Sequence, residues 1–189
     1  MFNAPKFMLA SALLALVPAC SSELSEEEQQ ILDARLAEEH QPTNLIAVLQ
    51  ANPDLSTAST LVGLSGVGVE LSDEGTFTAF AATNEAFNKM DAEQLSGLLS
   101  VDNKDKSANV AKYSLIKGSM TSADIAKAIA EGGGTASIAS LQGTAIKASM
   151  EGDHIILEDG AGNKARVITA DVKSSGGTLH IIDNVLMPG

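Results

Sequence analysis

At 189 residues the chain has room for one hydrophobic core plus appendages, since single domains run to about 100–150 residues. Hydrophobic residues make up 44% of it but aromatic residues only 3%, with no Trp, so the core must come from Ala, Val, Ile and Leu, and base stacking is poorly supplied. Lys plus Arg number 12 against 24 Asp plus Glu, a formal net charge of −12 that repels phosphate backbones and anionic headgroups and excludes nucleic acid as a partner.

The chain opens MFNAPKFMLASALLALVPAC, with one positive charge at Lys6 and an apolar run from Phe7 to Ala19. A membrane span needs about 20 such residues, so the run is too short to cross; its length suits the apolar region of a secretory signal. Val17-Pro18-Ala19-Cys20 resembles the lipobox of bacterial lipoproteins, in which the cysteine is acylated and becomes the new N-terminus. The alternative is an ordinary signal peptide with an incidental cysteine. Cys20 is the only cysteine in the chain and cannot form an internal disulfide, so lipid attachment explains it better than a redox role. The expected organisation is a signal peptide over 1–19, a lipidated Cys20 with an acidic tether over 20–42, and a globular domain over 43–189. Two or more acyl chains anchor stably to a membrane without help from a basic patch. In the lipoprotein class that the sequence resembles, Ser21 after the cysteine is not an inner-membrane retention signal, which implies the outer membrane in a double-membraned bacterium, with the periplasmic or surface face left open.

The tether, SSELSEEEQQILDARLAEEHQP, carries Glu23, Glu26, Glu27, Glu28, Asp33, Glu38 and Glu39 against Arg35 alone. Ser25 and Glu28 have capping-box spacing and Ile31, Leu32 and Leu36 make a narrow apolar stripe, so a short helix and a solvated coil both fit. Pro42 ends it. Thr43 or Asn44 then caps a helix that stops at Asn52-Pro53, and a second helix from about Ser56 to Leu64 ends at Gly66. TFTAFAAT, residues 76–83, alternates as a buried strand does. Asn84 is expected to cap a short helix, Asp91 another, and residues 102–112 continue helically. YSLIKG, 113–118, reads as a strand, and Ser122 as the cap of a helix stopped by Gly132 to Gly134.

From Thr135 on, short β-branched runs alternate with QG, EGD, DGAGN and SSGG turns, an antiparallel β region following a helical half. Helices first and strands later predict an α+β domain in place of a doubly wound sheet.

Three histidines and one cysteine, scattered, do not make a zinc site, and the GGG at 132–134 lacks the lysine of a phosphate loop. The acidic turns SDEG and EDGAGN do not follow calcium-loop spacing, and no G-x-S-x-G context surrounds Ser174 and Ser175. No cofactor and no catalysis are expected. In the terminal GGTLHIIDNVLMPG, His180 and Asp183 are an odd number of residues apart and point to opposite faces of a strand. If SSGG is a four-residue hairpin loop, Lys173 pairs with Thr178, Val172 with Leu179, and Asp171 faces His180. Opposed Cβ atoms lie about 5 Å apart, so Asp171 and His180 are predicted to form a structural polar pair.

TFTAFAATNEAFNKM (76–90), YSLIKG with TSADIA, and ITADVKSSGGTLHIIDNVLMP (168–188) resemble, in order and spacing, the conserved blocks of the fasciclin domain family. The motif positions are Phe80, Thr83, Asn84, Phe87, Tyr113, Gly118, Asp171, Gly176 (or its neighbour Gly177), His180, Asp183 and Pro188. The resemblance implies an α+β fold, a fasciclin-like β-wedge with several short helices packed around it, used for adhesion and protein interaction without catalysis. Two positions depart from the family pattern: Ala82 stands for a usual proline, and Ser114 for the histidine of a Tyr-His pair linked with integrin binding in animal members. Integrin recognition is therefore not transferred. The expected role is a lipid-anchored adhesion or protein-interaction module of the bacterial cell envelope, taking a protein or cell-surface ligand. The alternative is a periplasmic small-ligand-binding or accessory-subunit module of a membrane complex.

Overall fold

The computed structural model describes residues 44–73 and 75–189. The leader, Cys20 and the acidic stretch lie outside the described residues. Asn44 caps the first helix, α1 (Leu45–Ala51), its side-chain oxygen accepting the Ala47 N–H at 2.8 Å. After a 3-10 turn at Pro53–Leu55 come α2 (Ser56–Ser65) and α3 (Val67–Asp73), the latter a helix that the sequence pattern does not predict. Strand β1 (Phe77–Ala82) follows, then α4 (Asn84–Asn88), α5 (Ala92–Leu98) capped by Asp91, a 3-10 turn at Val101–Asn103, α6 (Lys104–Tyr113), β2 (Leu115–Lys117) and α7 (Ser122–Glu131). The chain finishes in five strands: β3 (Thr135–Ala139), β4 (Ala145–Glu151), β5 (His154–Glu158), β6 (Lys164–Ser174) and β7 (Gly177–Ile182).

Three local expectations are corrected. Asn84 does not cap its own helix: Thr83 does, its hydroxyl accepting the Ala86 N–H, while Asn84 occupies the first helical position. Likewise Thr121, not Ser122, caps α7, in a reciprocal capping box with Asp124 that satisfies two otherwise orphaned N–H groups. Tyr113 ends a helix and does not begin a strand.

The seven strands form one sheet in the order β2-β1-β7-β6-β5-β4-β3. Every neighbouring pair is antiparallel except β1 and β7, which run parallel from Phe77 opposite Gly177 to Ala82 opposite Ile182. The long β6 joins the two halves, pairing with β5 near its start and with β7 along its length, with register shifts between Val167 and Thr169 and between Thr169 and Val172. Just past β3, the Leu141 N–H donates to the Leu115 carbonyl of β2 at 2.8 Å, so the two edges meet and the sheet almost closes into a barrel. This is the expected α+β wedge. Helix α7 lies on β3 and β4 and buries Ile125 and Ile129 against them, while α1, α2, α3 and α6 pack together over the other half. One continuous apolar cluster runs through both halves, from Leu45 in α1 to Leu186 in the final segment.

Candidate functional site

The chemistry-bearing residues of the sequence converge where β1, β7, the bulge of β6 and the start of α7 meet. His180 lies in the middle of β7 with no solvent exposure, and its ring stacks on that of Phe80 opposite, centroids 5.4 Å apart and planes 28° apart. Nε2 is 3.0 Å from the Met120 carbonyl, and Nδ1 accepts the Asp171 N–H at 3.3 Å. A carbonyl can only accept, so Nε2 carries the proton and the ring is the neutral Nε2–H tautomer. Burial holds the imidazole below its ordinary value of about 6.5, against the Met120 hydrogen bond and the Asp171 charge, which both pull it upward.

Asp171 meets His180 through its main chain. Its carboxylate turns instead to α7, where Oδ1 accepts the Ser122 N–H at 2.7 Å and Oδ2 the Ser122 hydroxyl at 2.5 Å. The hairpin register is as expected, Lys173 opposite Thr178 and Val172 opposite Leu179, but the loop is the two residues Ser175-Gly176, because Ser174 already pairs with Gly177. Asp171 falls in a bulge at φ 61, the one non-glycine residue at positive φ among those described. That conformation costs about 1–2 kcal/mol, and the Ser122 and His180 bonds hold it in place. Desolvation opposes the charged carboxylate, yet the two Ser122 hydrogen bonds, aided by His180 and Lys173, outweigh it and keep Asp171 below the ordinary carboxylate value.

A second shelf of polar contacts lies beside this node. The Thr78 hydroxyl, fully buried in β1, donates to the Gly118 carbonyl at 2.7 Å and accepts the Met120 N–H at 2.8 Å; Ser119 and Thr178 share a hydrogen bond of 2.8 Å. Gly118, at φ 94, turns the chain so that its N–H reaches the Thr76 carbonyl and residues 119–122 pass over the sheet. Ser, His and Asp are thus assembled, but not as a nucleophile with its base: Ser122 bonds the carboxylate, and neither imidazole nitrogen reaches it.

The other motif residues are spread over the scaffold. The Asn84 side chain accepts from the Thr57 N–H and the Ser56 hydroxyl and donates to the Pro53 carbonyl, so it holds the start of α2 from 27 residues away. Phe87 is buried in α4 and lines an internal apolar cavity of about 40 Å³. Tyr113, fully buried, accepts the Gly160 N–H at 2.9 Å and donates to the Ala145 carbonyl at 3.3 Å. Asp183 accepts the Arg166 N–H at 2.7 Å on the far side of the sheet from His180's partners, and its carbonyl accepts from Lys89. Pro188 borders an open groove of about 370 Å³ with Leu98, Lys106 and Met187. At the hairpin, Gly176 has ordinary clearance, whereas Gly177, at φ 130, leaves no room: a Cβ there would lie 1.8 Å from the Phe77 carbonyl oxygen. The residue that must be glycine is Gly177.

Sequence reasoning did not find the roles of Ser122, Thr78 and Asp159. The buried Asp159 accepts from the Ala161 and Asn163 main chain, the Asn163 side chain and the Met187 N–H, tying the β5–β6 turn to the final segment. The EDGAGN turn was a visible signal for the first three of these bonds. Nothing local signals the contact to residue 187, or the one between residues 122 and 171.

Among the described residues, such a fold and node define an α+β scaffold in which His180, Asp171, Ser122 and Thr78 hold a nearly closed sheet to α7 and the segment before it. The chain belongs to the fasciclin domain family: the model of the Fasciclin domain matches residues 53–188. It is 30% identical over 180 residues to Protein sll1483 of Synechocystis sp., covering 95% of this chain and 92% of that protein. It is 27% identical to transforming growth factor-beta-induced protein ig-h3 of Sus scrofa, covering 77% of this chain and 19% of that protein. Among solved structures it resembles a FAS1 domain pair from the insect cell adhesion molecule Fasciclin I, with a TM-score of 0.68 at 19% identity, over 77% of this chain and 51% of that one. That likeness shows the fold.

Proposed function

We propose that the chain is an exported, non-enzymatic interaction module held at the cell envelope by lipid on Cys20, with residues 1–19 removed, 20–42 serving as an acidic spacer and 43–189 forming the binding domain. The observation that carries the non-enzymatic part is the internal use of the node: His180 is fully buried and both its nitrogens are bonded to main chain, while Asp171 is bonded to Ser122. Contact with a protein or cell-surface ligand then falls to the outer surface, as the name cell adhesion molecule records for Fasciclin I. The small-ligand alternative gains no support from the apolar cavity of about 40 Å³, far below the roughly 300–1,000 Å³ of ligand pockets, and would have to use an open surface groove such as the one of about 370 Å³ beside Pro188. The anchoring reading rests on the apolar run and the Val17-Pro18-Ala19-Cys20 sequence.

Deletion of the gene, with attachment and biofilm scored against complementation by wild type and by Cys20→Ala, tests this reading. Wild type restores attachment, Cys20→Ala does not, and labelled fatty acid enters only the former. Unchanged attachment in the deletion strain removes adhesion; equal labelling of both removes the Cys20 anchor.

A further inference from the structure

His180 is built to be neutral. Its Nδ1 receives the Asp171 N–H, so a proton added there would set two donors against each other, and Nε2 is already committed to Met120. The residue that supplies that N–H is the one strained non-glycine residue of the described chain, and its carboxylate is the clamp on the first turn of α7. Two bonded states are therefore available to one carboxylate. It can hold Ser122, as in the structure, or it can receive a protonated imidazole beside it once residue 171 leaves its left-handed conformation.

We propose that His180, Asp171 and Ser122 form an acid-operated latch, in which protonation of His180 turns the β6 bulge, transfers the Asp171 carboxylate from Ser122 to the imidazolium, and releases the start of α7 from β6, while the Thr78, Thr178 and His180 bonds keep residues 118–120 on the sheet. The surroundings make the choice of partner simple. β1 presents the Phe80 ring to His180 and carries no charge, and β7 itself has no other titratable group. The segment before α7 offers the Met120 carbonyl and the Ser119 and Ser122 hydroxyls. On α7, Asp124 is engaged with Thr121, and on β6 only Asp171 and, beyond it, Lys173 bear charge near the ring. Asp183 faces Arg166 instead. The Ser122 hydrogen bonds hold Asp171 below the ordinary carboxylate value, which favours a charged acceptor beside the ring. This inference is independent of the adhesion reading, which concerns the outer surface.

The sign follows from the shift. The unfolded chain, with its histidine at about 6.5, binds a proton more readily than the closed form, and the opened form, with the Asp171 carboxylate beside the ring, does so at least as readily; closure is therefore favoured at high pH and is lost progressively as pH falls below about 6.5 toward the lowered value of the closed form. Amide exchange of the full chain, corrected for the intrinsic effect of pH and followed by NMR from about pH 7.5 to about 4.5, reads this directly. The Ser122 and Asp171 amides are expected to lose protection by up to about tenfold per pH unit below 6.5, while those of Ile146 and Leu157 stay protected. His180→Gln preserves the geometry, since an amide can accept the Asp171 N–H and donate to Met120, and its profile should be flat. Unchanged Ser122 protection at low pH, the same loss in His180→Gln, or a loss shared by every amide would overturn the latch. If the glutamine variant does not fold, the wild-type titration of the His180 ring decides: its midpoint must coincide with that of the Ser122 amide shift, and separate midpoints overturn the proposal.

Discussion

The pair β1–β7 and the hairpins β3–β5 belong to one sheet but are built by different rules. Every residue of β1 and of β7 is buried, because helices cover one face and the barrel interior fills the other; β3 and the first half of β4 alternate strictly, buried and exposed. In β3 and the first half of β4 a side chain's contribution follows from its parity, whereas β5 buries Ile155, Ile156 and Leu157 in succession. In the central pair no position is free, and small residues at close approach matter as much as large apolar ones.

Substitutions can break or sharpen that contrast. The largest effect is expected at Gly177→Ala, where the new Cβ would run into the Phe77 main chain at the start of the parallel pair. Loss of the folded state, or destabilisation beyond about 4 kcal/mol in urea unfolding, is the expected result, and a loss under about 1 kcal/mol would show that the pair tolerates separation. Next comes Ile146→Ala in β4, fully buried under α7, with an expected cost of about 2–5 kcal/mol from lost burial and the cavity left behind. One residue along the same strand, Lys147→Gln removes only an exposed pair with Glu158 at 3.7 Å, and the unfolding midpoint should not move measurably. Comparable costs at 146 and 147 would end the parity argument for β3 and β4.

The same contrast explains what could be read in advance. The five C-terminal strands and the Lys173–Thr178 register follow from short β-branched runs and turn residues, which are local, although the SSGG loop closes over two residues and not four. The caps were displaced by one residue at Asn84 and at Ser122, for a shared reason: each side chain is drawn away by a distant partner, Asn84 to the start of α2 and Ser122 to Asp171, and the preceding threonine takes over the cap. The node was half legible. Hairpin geometry brought Asp171 and His180 together, but the bulge that turns the main chain of Asp171 to the ring and its carboxylate to α7 needed the third element.

By itself the sequence determined the α+β class, the place of His180 in an apolar strand and the glycine-bearing turn beside it, which reside in residue spacing and composition, and the family through the resemblance of its motifs. Only the tertiary structure decided that β1 and β7 lie parallel, that β2 and β3 close the sheet, and that Ser122 completes the node. Those contacts join residues from about 26 to 100 positions apart, and their free energy comes from burying both faces of a strand at once, which no local pattern encodes.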